Sequence, residues 1–157
     1  MKIRLNKIAS STRTANIHEE VVVGGPIPAE AGTVIAVKVL DTKTTYNQLE
    51  DCHGRLMPVH AGDIMAGVLG AREALRGYAG VIPEKVEKGD ILHLLNMGGV
   101  IGTCTSINPE VGAPARVEVL GAVLCFPELG RRVGEPANIF PRTVPLVDSL
   151  PAEVPPT

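Results

Sequence analysis

The sequence predicts an all-β domain: a single closed or partly open β-barrel of related hairpins over residues 1–126, then an extended Pro-rich arm over 127–157. Three observations predict it. The apolar content, 45% of 157 residues, is almost wholly aliphatic, with Tyr46, Tyr78, Phe126 and Phe140 the only aromatic residues. Such a composition, with 17 Gly and 13 Pro, suits short strands joined by tight turns. Finally, Pro-led segments recur, each ending in an apolar run.

Four such segments follow one another: PAEAGTVIAVKVL from Pro28, PVHAGDIMAGVL from Pro58, PEKVEKGDILHLL from Pro83 and PEVGAPARVEVL from Pro109. The second and third match most closely. Gly62-Asp63-Ile64-Met65 corresponds to Gly89-Asp90-Ile91-Leu92, and the two units differ in length by one residue, as a bulge or loop change would leave. The spacing is in the range of repeat arrays, but there are few units. Closing related hairpins into a barrel removes the edges that an open sheet would expose. The strands are apolar on both faces, as in Val34-Ile35-Ala36-Val37. One face fills the interior, and the other meets loops or a neighbouring subunit.

Helix is scarce. Residues 71–78, AREALRGY, read either as two helical turns or, from Leu75 onward, as a strand. From Pro127 the texture changes to seven prolines with little alternation, so the arm is extended. Its Ile139, Phe140, Val144, Leu146, Val147 and Leu150 call for packing, on its own barrel or across to a neighbour.

Net charge is −2, and no basic cluster exceeds Arg131-Arg132. A nucleic-acid surface needs a basic face and usually stacking aromatics, so that class is set aside. Apolar runs are too short for a membrane span, and the N-terminus shows no signal-peptide core. Cys52, Cys104 and Cys125 form no CxxC, which fits a reducing, cytoplasmic setting. The aliphatic surplus predicts a homo-oligomer.

The run KGDILHLLNMGGVIGTCTS raises the question of a phosphate cradle. Gly98, Gly99 and Gly102 give G-G-x-x-G, and the β-branched stretch that follows ends at Pro109, so neither the dinucleotide fingerprint nor the P-loop is met. Asn96-Met97-Gly98-Gly99 reads as a hairpin turn. Asp63 and Asp90 occupy equivalent places, where a carboxylate after Gly satisfies turn N–H groups. This Gly-Asp turn before an apolar strand resembles the GD box of cradle-loop barrels, the group that includes double-psi and swapped-hairpin barrels. EKGDILHLL is similar as well to turns in translation-factor-type barrels. The resemblance rests on two short motifs and implies a fold alone, since such barrels host unrelated functions.

Chemistry is expected in the polar run 41–63, DTKTTYNQLEDCHGRLMPVHAGD. Three readings compete. Cys52, His53 and His60, with His93, are metal-capable residue types, but no zinc spacing appears and no metal is expected. Cys52 is a candidate nucleophile with His53 or His60 as base. The third and favoured reading is a pocket for a small anionic molecule. In it Arg55, Arg72 and Arg76 grip carboxylate or phosphate, and Tyr46, Asn47, Tyr78 and His60 orient the rest. His93, within DILHLL, is expected in the core or barrel lumen, and there it joins His60 as a candidate base. Cys104 and Cys125, in apolar strands, read as small hydrophobes. The expected function is therefore a small-molecule-binding barrel, with any reaction and cofactor unassigned. The alternative is a non-catalytic assembly module whose polar loop contacts another protein.

Overall fold

The computed structural model describes residues 2–15, 17–24, 26–42, 48–71, 78–96, 98–107, 114–125 and 135–139. Among them the chain is all-β, with strands β1 (Lys2–Arg4), β2 (Lys7–Ile8), β3 (Glu20–Val22), β4 (Val34–Val39), β5 (Gln48–Glu50), β6 (Leu56–Pro58), β7 (Ile64–Leu69), β8 (Tyr78–Val81), β9 (Ile91–Leu94), β10 (Val100–Ile107), β11 (Arg116–Ala122), β12 (Leu124–Cys125) and β13 (Glu135–Pro136). The one helical element among these residues is a 3-10 segment, Ser10–Ala15. No helix among them is long and apolar enough to cross a membrane.

A seven-stranded sheet carries the fold, in the order β2-β7-β4-β11-β9-β10-β8. Five of its strands form a circuit, because β10 also pairs with β7, Val100 and Ile101 lying parallel to Val68 and Leu69. Within the circuit the other four pairings are antiparallel. Glycine makes the closing step possible. A Cβ on Gly67 would lie 2.6 Å from the Gly99 carbonyl oxygen and 2.7 Å from Ile101 Cδ1, so the backbones approach closer than a side chain permits.

Each Pro-led segment supplies one circuit strand: β4, β7, β9 and β11 in order. The Gly-Asp turns are equivalent in detail. Gly62 and Gly89 take φ of 95° and 94°, where glycine is favoured. The Asp63 carboxylate accepts the His60 N–H (2.9 Å), and the Asp90 carboxylate accepts the Glu87 N–H (2.8 Å). Gly62 N–H donates to the Val39 carbonyl and Gly89 N–H to the Val119 carbonyl, which docks each turn on the neighbouring strand. The carboxylates thus hold turns, as the repeat suggests.

Two apolar clusters account for strands that are hydrophobic on both faces. Inside the circuit, Ile35, Val37, Val39, Met65, Leu69, Leu92, Leu94, Ile101, Val117 and Val119 pack together. On the reverse face of β4 and β7, Val34, Ala36, Ala66 and Val68 meet Leu5, Val21 and Val23 from the N-terminal strands, and Val123 and Ala137. That second face is covered by the chain itself. The described part of the arm joins it in cis: Ala137 N–H donates to Val123, Val34 N–H to Ala137, and Ile139 N–H to Gly32.

Asn96 to Gly99 is the hairpin turn between β9 and β10. Gly99 N–H donates to the Asn96 carbonyl (3.2 Å) and Val100 N–H to Asn96 Oδ1 (3.0 Å), so amides that a phosphate would use are already engaged. Residues 72–77 of the candidate helix lie outside the described residues, and Tyr78 begins a strand. The polar run 41–63 differs from expectation: it is no uninterrupted loop, because β5 and β6 pair within it as a hairpin.

Candidate functional site

A cavity of about 400 Å³ lies on the outer face of β9, β10 and β11. Asp41, His93, Cys104, Thr105, Ser106, Pro114 and Arg116 line it. Strand parity places His93 here. Leu92 and Leu94 on either side are buried in the core, so His93 points the opposite way. This corrects the expectation of a lumen histidine: His93 faces out, half-buried, directly across from Arg116 on β11.

Arg116 is positioned by Asp41, the second residue beyond β4. One carboxylate oxygen accepts the Arg116 backbone N–H (2.9 Å) and Nε–H (3.0 Å), and the other accepts Nη2–H (3.1 Å). This fork fixes the guanidinium plane and leaves its remaining N–H groups unclaimed among the described residues. The Arg116 hydrogen bonds hold Asp41 below the usual carboxylate range, against a smaller opposing effect of burial. Asp41 in return raises Arg116.

Cys104 sits at a break in strand register. On β10, Cys104 pairs with Gly80 and Ser106 with Ala79, leaving Thr105 as the extra residue of a bulge. The Cys104 backbone N–H donates to His93 Nδ1 (3.2 Å), and its thiol donates to the Ser106 carbonyl (3.4 Å). Cys104 is therefore a wall of the cavity rather than the small core hydrophobe its strand suggests. Burial, with the positive charge of Arg116, pushes the His93 pKa down, and Asp41 offsets this in part.

A smaller cavity of about 210 Å³ includes Lys7, Asp51, Cys52, His53 and Arg55 in its lining. Buried Asp51 organises it, accepting N–H groups of His53 (2.9 Å) and Arg55 (2.8 Å) and the Arg55 Nε–H (2.9 Å). The backbone N–H of Arg55 is the leading cause that lowers the Asp51 pKa. Arg55 is thereby committed to a turn, and Cys52 donates its backbone N–H to Ile8. His60 lies exposed in the Asp63 turn and lines neither cavity.

The expected constellation is thus divided. Cys52 and Arg55 share the smaller cavity, His93 lines the larger, and His60 stands apart. Tyr46, Asn47, Arg72 and Arg76 lie outside the described residues, as does the Tyr78 side chain. Among the described residues no group of three His, Cys, Asp or Glu is placed to hold a metal ion. Asp41 and Arg116 were missed because nothing local marks them; they meet across 75 positions. No family profile matches the chain, and no curated protein or solved structure matches it significantly.

Proposed function

We propose that the protein binds a small anionic metabolite in the cavity walled by β9, β10 and β11. The observation that carries this reading is the pair Arg116 and His93, facing each other across two strands in the wall of a cavity of about 400 Å³. The size suits a small metabolite. Pro114, Cys104 and the Thr105 methyl offer apolar contact, and the guanidinium offers an oriented charge. The paired Gly-Asp turns also support kinship with cradle-loop barrels, which adds nothing to the choice of ligand.

Native mass spectrometry of the full chain, with release of bound species by collisional activation, tests the proposal. We expect a co-purified small acid in the wild type, lost in Arg116→Gln. The same spectrum reads the subunit number, for which the aliphatic surplus supports a homo-oligomer. An adduct retained in Arg116→Gln would remove the site. A clean chain that also fails to take up added small carboxylates would favour the assembly module.

A further inference from the structure

Taking the cavity as the binding site, we infer that its ligand group is a carboxylate rather than a phosphate, read by His93 as a neutral imidazole donating from Nε2. The argument starts from the backbone. The Cys104 N–H points at His93 Nδ1 (3.2 Å), and an amide N–H can only donate. Nδ1 must therefore be the unprotonated, accepting nitrogen, which places the ring proton on Nε2. Protonating Nδ1 would set two donors against each other at the β10 bulge.

The charge balance of the wall follows. Arg116 is matched by Asp41 in a two-pronged ion pair, and a neutral His93 adds no charge. Among the described lining residues Asp41 and Arg116 carry the full charges, and the Cys104 thiol donates to the Ser106 carbonyl. The described residues of the wall are close to net zero, so they suit a monoanion better than a doubly charged phosphate ester. Its hydrogen-bonding inventory is also one-sided. Two Asp41 oxygens already take three N–H groups, and His93 Nδ1 takes a fourth. What is left over among the described residues is weighted to donors, His93 Nε2–H and the outer N–H groups of Arg116, beside a remaining lone pair on Asp41 Oδ1 and the Thr105 and Ser106 hydroxyls. A planar acceptor pair with one negative charge answers that set. A cationic amine would have to share the Asp41 carboxylate with Arg116, which already holds it by two prongs.

Nuclear magnetic resonance on the full chain tests both halves. Long-range proton–nitrogen correlation at pH 7.5 should show His93 Nδ1 unprotonated and Nε2 protonated before any ligand is added; the reverse tautomer overturns the inference. Benzoate, phenyl phosphate and benzylammonium are then titrated separately, since they share an apolar body and differ in the head group. Benzoate should shift the Cys104 and Arg116 amides and bind at least about tenfold more tightly than phenyl phosphate, with benzylammonium showing no saturable shift.

Two substitutions separate the roles of the ring nitrogens. His93→Asn keeps an acceptor near Nδ1 for the Cys104 N–H and removes the ligand-facing donor, so benzoate affinity should fall at least about tenfold. His93→Gln carries a donor out to the Nε2 position and should retain most of it. Equal loss in both, with both folded, would make His93 a packing residue and overturn the assignment. Phenyl phosphate binding as tightly as benzoate would leave the binding site standing and sink the carboxylate preference. Failure of all three probes on wild-type protein would remove the binding reading itself, whatever the tautomer.

Discussion

The β4–β7 pair and the β11–β9 pair are one construction made twice. Val37 faces Met65 as Val117 faces Leu92, and Lys38 faces Ile64 as Glu118 faces Ile91. One register position further, the halves part: Ala36 faces Ala66 in the first, and Arg116 faces His93 in the second. The Ala pair lies fully buried beneath the N-terminal strands, where only small side chains fit. The Arg–His pair lines a cavity instead. Duplicated architecture thus separates two demands: the covered half supplies packing, and the half without that cover is free to hold polar groups.

Exchanging residues between the halves gives the largest expected effect. Ala36→Arg places a guanidinium in a closed apolar layer. We expect a loss of at least about 4 kcal/mol, or no folded protein. The reciprocal change, Arg116→Ala, should leave the urea midpoint close to that of the wild type. Similar destabilisation by both would show that the second face is as tightly packed as the first.

The Gly-Asp turns sharpen the comparison at a smaller scale. Asp63 does more than Asp90: besides the turn N–H it takes the Lys7 ammonium at 2.7 Å, both side chains being largely buried. Asp63→Ala should cost about 2 kcal/mol, and Asp90→Ala about 0.5–1 kcal/mol, by urea unfolding. Burial works against ionisation of Asp63, but the bonds from Lys7 and His60 outweigh it and hold its pKa below 3.8. For a depressed carboxylate the unfolded chain takes the proton first. Its contribution is complete above about pH 4 and fades as pH falls through the lower folded value. Asp63→Ala should therefore flatten the acid limb of the stability curve, while Asp90→Ala leaves the Asp63 part of that limb in place.

These halves also explain what can be read without coordinates. Proline, glycine and aliphatic runs mark the four circuit strands, because turn chemistry and burial are local. Strands β1, β3, β5 and β6, of three residues each, are too short to carry a period, so the covering layer and the hairpin inside 41–63 are invisible. His93 is visible as a residue but not as a direction. DILHLL is apolar on both sides of it, and one step of parity moves a side chain from lumen to surface. Arg116 and Asp41 come together only through sheet topology. The repeats do carry one signal of the site: aligning IAVKVL with ARVEVL, and DIMAGVL with DILHLLN, puts Arg116 over Ala36 and His93 over Ala66. The site lies where the repeats disagree.

A third turn of the same build supplies the smallest effect. Gly32 has φ of 89°, its N–H donates to the Leu69 carbonyl, and Thr33 N–H reaches the Glu30 carbonyl (3.3 Å), as Asp63 N–H reaches His60. Thr33 stands in the aspartate's place, but this position is buried here, and a carboxylate would lose its water. Threonine is the compromise, and an imperfect one: its Oγ1 is buried with no hydrogen-bond partner among the described residues. Replacing that hydroxyl by a methyl of similar size removes an unmet polar group and creates no cavity. Thr33→Val should be neutral or stabilise by up to about 1 kcal/mol. A loss of about 1 kcal/mol or more would instead mean that the hydroxyl is bonded in solution, and that all three turns depend on a side-chain oxygen at this position.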